Sequence, residues 1–216
     1  MLAFLGGTGP EGKGLAMRLA IAGESIVIGS RDGDRAAATA AELRGVIDGH
    51  VSIEGTDNLN AARHSEVIFL TVPYDAQRPL LEQLNGTLDG KIVINVIAPM
   101  TFERGVGARA VTVEAGSAAQ ESQELLPNSF IVSAFQNVSA EELLDQAVNM
   151  EGDVIICSNN TSAKELAFDL TNKIPTLRPI DGGGLANSNY VEQITPLLVN
   201  INRIYKIHSG IRIVGV

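Results

Sequence analysis

The sequence carries a single cysteine, Cys157, at the end of the apolar run in Asp153-Val-Ile-Ile-Cys-Ser158. One thiol excludes an internal disulfide and suits a reducing compartment, so a cytoplasmic protein is expected. Its place in an apolar run makes Cys157 a small buried strand residue rather than a nucleophile. Basic charge is scarce as well. Sixteen Lys and Arg stand against 25 Asp and Glu, for a formal net charge of −9, and the charges are dispersed. No basic stripe can follow a nucleic-acid backbone, and no nucleic-acid partner is expected. Apolar runs such as Ile92 to Ala98 are far shorter than the ~20 residues of a membrane helix, so no membrane partner is expected. No cationic stretch with an apolar segment behind it precedes the first motif, and no cleavable leader is expected.

Several catalytic signatures are also missing. His50, His64 and His208 stand apart, with neither triad nor ligand spacing. There is no His-Glu-x-x-His or Cys/His pattern for a metal and no Gly-x-Ser-x-Gly elbow. Tyr205 and Lys206 are adjacent, so their side chains diverge on a helix and cannot act as a proton-relay pair. No catalytic side chain and no metal ligand is singled out, and any chemistry falls to bound cofactors.

What is present begins at once. Leu2 to Leu5 is an apolar run without polar alternation, as a strand buried on both faces requires. Gly7-Thr8-Gly9-Pro10-Glu11-Gly12 then has the spacing Gly-x-Gly-x-x-Gly, and an Ala/Leu-rich helical pattern follows. Strand, glycine turn and helix in that order form a dinucleotide cradle. One glycine permits the tight turn, the next lets backbone approach a pyrophosphate, and the third allows close helix–strand packing. The helix N-terminus supplies free N–H groups and partial positive charge.

Further buried strands are expected at 25–30, 51–54, 66–72 and 91–97, with helices over 35–44, 57–63 and 75–84 between them. That alternation predicts an α/β fold, a Rossmann-type doubly wound parallel sheet with a small C-terminal α/β extension. Residues 100–116, with Gly105 and Gly107, read as a loop with a short strand at 110–113. Helix 117–126 and strand 130–135 come next. Ser139 and Glu142 form a capping-box pattern for a helix reaching Met150. Strand 153–158, helix 162–170 and an edge strand 177–180 that tolerates Pro179 complete the extension. Asn187 to Ile207 reads as a long helix with an apolar stripe, interrupted by Pro196. A stripe of that length predicts a homodimer that buries part of it.

The second strand ends Gly29-Ser30-Arg31, without the acidic residue that binds ribose hydroxyls in NAD enzymes. Ser30 offers a hydroxyl, Arg31 a planar fork suited to a phosphate dianion, and Arg35 a second cation one helical turn later. This pattern suits the 2′-phosphate of NADP. Pairing of Arg31 and Arg35 with Asp32 and Asp34 on a solvated turn is the alternative. Thr71-Val72-Pro73-Tyr74 and Asn95 to Pro99 end strands at the carboxyl edge, where ligands bind in open α/β sheets. The loop Asp181 to Gly184 precedes the long helix. Its glycines, Gly183 among them, would let backbone approach a flat, polar or anionic ring edge.

The glycine turn, Gly29-Ser-Arg31, Thr71-Val-Pro73, the segment Leu177-Arg-Pro-Ile-Asp-Gly182 and the Glu192-x-x-Thr-Pro196 helix together resemble the coenzyme F420-dependent NADP oxidoreductases. The resemblance spans nearly the whole chain. It implies hydride transfer between NADP(H) and the deazaflavin coenzyme F420, both bound as co-substrates in one cleft. It implies an NADP-binding Rossmann domain over 1–135 and a C-terminal part, 136–216, forming the cleft's second side in one compact unit. By position, Thr8 to Glu11 would cradle the pyrophosphate, and Ser30, Arg31 and Arg35 would hold the 2′-phosphate. Val72, Pro73 and Ala98 would line the nicotinamide side, and Val138 and Ala140 would face the ring pair. Gln136 departs from the histidine or other polar residue associated with the family. Two other readings remain open at this point. One is an NADPH-dependent reductase of a flavin, a ferric chelate or a small carbonyl compound. The other is a non-enzymatic NADP-binding sensor.

Overall fold

The computed structural model describes residues 1–216. Its first half is β1 (Leu2–Leu5), α1 (Pro10–Ile21), β2 (Ile26–Ser30), α2 (Gly33–Val46), β3 (Ile53–Asp57), α3 (Asn58–Arg63), β4 (Val67–Leu70), α4 (Tyr74–Gln83) and β5 (Ile92–Asn95). Then come β6 (Met100–Glu103), β7 (Gly107–Ala110), α5 (Ala118–Leu125), β8 (Phe130–Ser133), α6 (Ala140–Leu144), β9 (Gly152–Ser158), α7 (Thr161–Asn172) and β10 (Leu177–Asp181). A short 3₁₀ turn, Leu185–Asn187, leads into α8 (Ser188–Tyr205).

Eight strands form one sheet in the order β10-β9-β8-β5-β4-β1-β2-β3. From β3 to β8 every neighbouring pair is parallel. The short apolar runs are explained by where successive side chains go. Leu2 and Phe4 of β1 enter one hydrophobic layer, while Ala3 and Leu5 enter the other. Because both faces of β1 are covered, no polar residue alternates with the apolar ones. Side-chain caps start the helices where expected. Asp57 accepts from Asn60 N at α3, and Ser139 accepts from Glu142 N at α6. β10 lies at the sheet edge, so Pro179 removes no ladder bond that another strand needs.

Three features differ from the sequence expectation. First, residues 100–110 form the antiparallel hairpin β6–β7, and no strand lies at 111–113. Gly105 and Gly107 adopt φ +84° and +112°, conformations that glycine permits. The hairpin is clamped by Asn200 of α8, which accepts from Ala108 N at 2.9 Å and donates to Ala108 O at 2.8 Å. Second, the sheet is not wholly parallel, because β9 runs antiparallel to β8 and β10 parallel to β9. A parallel return needs a crossover helix that spans the sheet. α6 has only five residues and packs on α1, so the chain re-enters the sheet from the edge it has just reached.

Third, the helix begun at Ser139 stops at Leu144, not at Met150. The Arg18 guanidinium of α1 donates to the carbonyls of Leu143 and Glu142, both at 2.8 Å, and to those of Asp145 and Val148. These carbonyls find their partner in Arg18 instead of in a further helical turn.

Candidate active site

The glycine turn is shaped by close approaches. Gly6 has φ +76°, and a Cβ there would lie 2.5 Å from Val72 Cγ1. A Cβ on Gly7 would lie 2.7 Å from Phe4 O, and one on Gly12 would lie 2.5 Å from Thr71 Oγ1. Gly9 differs, since its nearest neighbour, Gly6 O, stands 3.6 Å from a built Cβ. The open backbone is therefore at Gly9, the N-cap of α1, with Thr8 before it and Pro10 at the first helical position. Pro10 gives up an N–H that has no helical partner in any case. The N–H groups of the first helical turn are left for an anion.

At the tip of β2, Ser30 is buried and its Oγ accepts from Asp32 N at 3.3 Å. Asp32 is used as the N-cap of α2, accepting from Asp34 N at 3.0 Å and Arg35 N at 3.2 Å. Arg31 and Arg35 are exposed and neither forms an ion pair, so the pairing alternative does not describe this turn. Arg31 and Arg35 thus leave two unengaged guanidinium groups in the turn and helix that follow the buried Ser30. Val72, packed on Gly6, and exposed Pro73 follow β4 beside the glycine turn.

A cleft of about 720 Å³ opens beside this turn. One side is Glu11 of α1 with Val96, Ala98 and Met100, which follow β5. The other side is the segment 136–141 after β8, the second half of α8, and residues 206–209. Asn95 turns the chain toward Ala98, because its Oδ1 accepts from Ile97 N at 2.8 Å while its Nδ2 donates to Gln77 and Ser122.

Two residues beyond β8 the chain passes through a strained residue. Phe135 adopts φ 71°, although its side chain is buried. Its ring sits 6.0 Å from Phe69, which itself stacks on Phe4 at 4.5 Å. Such a conformation costs about 1–3 kcal/mol and persists only where packing over-determines it. Here it turns Gln136 inward. Gln136 Nε2 donates to Asn95 O at 2.9 Å and to Ser133 Oγ at 2.8 Å. Asn137 Nδ2 donates to Val191 O at 3.0 Å and to Thr195 Oγ1 at 2.8 Å, and Thr195 Oγ1 donates to Gln136 O at 2.9 Å. These bonds fasten α8 to the end of β8.

Only three buried side-chain polar atoms in the protein lack a hydrogen-bond partner, and two of them, Glu11 Oε1 and Gln136 Oε1, belong to residues lining this cleft. An unpaired buried acceptor costs roughly 1–3 kcal/mol. The cleft thus suits a ligand that presents N–H or O–H donors above an apolar wall. Flat amide-bearing rings such as nicotinamide and the deazaflavin pyrimidine have that chemistry, and the open backbone at Gly9 suits a pyrophosphate. Burial pushes the Glu11 carboxyl up to about 8. No group of three or more His, Cys, Asp or Glu side chains is arranged to hold a metal ion.

The family described as NADP oxidoreductase, coenzyme F420-dependent, matches residues 1–99. Over 98% of its length the chain is 39% identical to the F420-dependent NADP reductase of Methanothermobacter marburgensis, covering 97% of that protein. The chain belongs to the F420-dependent NADP reductase family. The corresponding reductase of Methanocaldococcus jannaschii is 38% identical over 98% of this chain and 97% of its own. Among solved structures, a protein of Arthrobacter sp. FB24, provisionally called an F420-dependent NADP reductase, superposes with TM-score 0.80 over 98% of each chain at 22% identity. That likeness bears on the fold alone.

Against this family background the residues singled out from the sequence fall into four places. Gly7, Thr8, Gly9, Pro10 and Gly12 build the turn; Ser30 and Arg31 stand at the tip of β2 with Arg35 in the first turn of α2; and Val72 and Pro73 follow β4. Glu11, Ala98, Val138 and Ala140 line the cleft. Gly183 does not line it. Its loop follows β10, and since β9 and β10 run against the rest of the sheet, their carboxyl ends lie away from the cleft. The loop's polar groups are satisfied internally. Gly183 N donates to Asp181 Oδ1 at 2.8 Å, and Gly183 O accepts from Lys164 Nζ at 2.9 Å and Ser158 N at 3.1 Å.

Sequence reasoning missed Thr195, Asn202, Lys206 and His208 as cleft residues. Lys206 ends α8 in a left-handed conformation, φ 58°, and carries the chain across the cleft mouth. There His208 Nδ1 lies 3.3 Å from Ser139 Oγ, and its Nε2 lies 3.4 Å from Glu141 Oε2. Thr195 was visible within Glu192-x-x-Thr-Pro196, but nothing in the helical period marks which face meets the cleft.

Proposed function

We propose that this chain binds NADP(H) and coenzyme F420 together and catalyses direct hydride transfer between their rings. The observation that carries the reading is a single cleft joining the glycine turn to α8, with unpaired acceptors Glu11 Oε1 and Gln136 Oε1 in its lining. The two cofactors supply the redox chemistry, one ring giving and the other taking the hydride. The protein's share is to bind, to orient and to exclude water. Such transfer requires donor and acceptor carbons held about 3–3.5 Å apart with faces aligned.

Residues 1–135 are assigned to the nucleotide and 136–216 to the second side of the cleft. Gly7, Thr8, Gly9, Pro10 and Gly12 receive the pyrophosphate, and Ser30, Arg31 and Arg35 the 2′-phosphate. Val72, Pro73 and Ala98 pack on the nicotinamide side, while Val138 and Ala140 face the ring pair. Gln136 Oε1 accepts from a ring or carboxamide N–H. No side chain acts as nucleophile, because none is needed.

The protein is further proposed to act in the cytoplasm, without a nucleic-acid partner, as a homodimer. No helix is long and apolar enough to cross a membrane. Tyr190, Leu197 and Ile204 recur every seven residues on α8 and are 69%, 58% and 69% exposed. Phe102 on the hairpin packed against α8 is 71% exposed. A surface of this kind on a monomer marks an interaction site.

Deuterium transfer tests the chemistry. NADPH labelled at C4 on each face in turn is incubated with the protein and oxidised F420. Reduced F420 carrying one deuterium from one of the two labelled faces supports direct transfer. Reduced F420 without label from either would contradict it.

A further inference from the structure

The function proposed above uses Glu11 only as an unpaired acceptor in the lining and gives its ionisation no part, yet it is the most unusual ionisable group in the cleft. It sits in the first turn of α1, at the junction of the glycine turn and the cavity, and its Oε1 is buried without a partner. Beside a nucleotide's phosphates a carboxylate is out of place by charge. Across the cavity, Gln136 also presents an unpaired, buried acceptor, and Gln136 is 5% exposed. Val96 and Ala98, which line the cavity on the Glu11 side, are apolar. A flat ring that meets both groups lies directly against the Glu11 carboxyl.

The charged groups around Glu11 leave it without a counter-ion. On α1, Lys13 is turned to Glu42 of α2 at 2.7 Å, and Arg18 is committed to the carbonyls after α6. On α6, Glu141 and Glu142 are both acidic, and on the segment after α8, His208 faces Glu141 at 3.4 Å and Lys206 lines the cavity rim. From β4, β5 and β8 come only the uncharged Thr71, Val96, Ala98, Gln136 and Asn137. No ion pair reaches Glu11.

We propose that Glu11 is the group that distinguishes oxidised from reduced nicotinamide. Its carboxyl holds its proton in the free protein and beside the neutral ring of NADPH, and it releases that proton to solvent when the positively charged ring of NADP⁺ occupies the cleft. The raised affinity of the buried carboxyl for its proton, with an apparent value of about 8, agrees with the first half. The second half follows from Coulomb's law, because a unit positive charge within a few ångströms in a partly desolvated site favours the carboxylate. The two nucleotides carry the same phosphates, including the titrating 2′-phosphate, so those charges cancel in any comparison between them. What is left is the single charge on the ring. By linkage, a group that loses a proton on binding makes that binding tighter as pH rises. The protein should therefore prefer NADP⁺ over NADPH increasingly toward alkaline pH, making the equilibrium of the bound pair pH-dependent beyond the chemistry's own proton.

The inference rests on the NADP-binding reading, and the test separates the two. Dissociation constants of NADP⁺ and NADPH are measured on the full chain from about pH 6 to about pH 9, with calorimetry in two buffers of different ionisation enthalpy to count protons. The ratio Kd(NADP⁺)/Kd(NADPH) should fall by about tenfold or more across that range, one pKa unit of coupling being a factor of ten. NADP⁺ should release more protons than NADPH near neutral pH. In Glu11→Gln the ratio should stay within about twofold over the same range, since no proton is left to exchange. Equal proton counts for both nucleotides and a pH-independent ratio in the wild-type protein would overturn the proposal, whether or not the variant folds. So would a wild-type pH dependence retained in full by Glu11→Gln. If neither nucleotide binds at any pH, it is the NADP-binding reading that fails.

Discussion

Gly12 of α1 lies so close to Thr71 at the end of β4 that a Cβ on residue 12 would fall 2.5 Å from the threonine Oγ1. Thr71 cannot yield, because its Oγ1 donates to Leu5 O at 2.9 Å and its backbone N–H donates to the same carbonyl at 3.0 Å. Gly7 Cα stands 2.8 Å from the same built Cβ. α1 is thus held against the end of β4 at a distance only glycine allows. Gly12→Ala should push α1 off the sheet, lower stability by about 1–3 kcal/mol, and weaken NADPH and NADH alike. Thermal unfolding and nucleotide titration check this. Unchanged Tm and affinity would mean that the turn relaxes freely.

Arg31 bears on a different prediction, the choice between NADPH and NADH. It is exposed and unpaired at the tip of β2, above the buried Ser30. A charge-assisted contact to phosphate contributes on the order of 1.5–3 kcal/mol. Arg31→Ala should weaken NADPH binding about ten- to a hundredfold and leave NADH nearly unchanged. Arg35→Ala should act in the same direction but less strongly. Equal losses for both nucleotides would make the arginine structural.

The contrast between these residues shows what the sequence made legible. Glycine spacing, buried strands and capping acids are local, and Gly7, Gly12, Asp57 and Ser139 take the local roles their neighbours imply. The position of Arg31 at the tip of β2 was legible because strand, turn and helix follow one another directly. Gly183 could not, since its placement depends on the direction of β9, which is set by the short α6 packing on α1 rather than by any residue near 183. The inward turn of Gln136, which the sequence marks only as a departure from the family pattern, was hidden for a similar reason. The left-handed turn at Phe135 is imposed by Phe69 and Phe4, partners distant in sequence. The hairpin was obscured because its four-residue strands carry no alternation long enough to detect.

Asp153 fastens the end of the chain. Its carboxylate accepts from Arg178 Nε at 2.9 Å, from Arg178 Nη2 at 2.8 Å and from Ile213 N, while Arg178 also donates to the carbonyls of Ile213 and Val216. The Arg178 guanidinium holds the Asp153 carboxyl below its ordinary value of 3.8 against the opposing effect of burial. A carboxylate depressed by folding stabilises above its unfolded value, and that contribution is lost as pH falls through the folded one. Asp153→Asn should cost roughly 2 kcal/mol near neutral pH, less than a fully buried pair because Arg178 keeps contact with water. The Tm gap between variant and wild type should narrow as pH falls below about 4. A gap independent of pH would place the stabilisation elsewhere.

Assembly has its own test. Leu197 occupies the centre of the exposed α8 stripe, between Tyr190 and Ile204. Leu197→Glu should convert the proposed dimer to monomer in light scattering while leaving NADPH affinity unchanged. A wild-type protein that is monomeric at micromolar concentration would contradict the dimer directly.

Visible absorbance reports the pairing of NADP with F420 without an intermediary. Purified protein is mixed with NADPH and oxidised F420, and separately with NADPH and a flavin, a ferric chelate or a small carbonyl compound. F420 should bleach rapidly with stoichiometric loss of NADPH, and the other acceptors should turn over slowly or not at all. Turnover of another acceptor with F420 left oxidised would contradict that pairing.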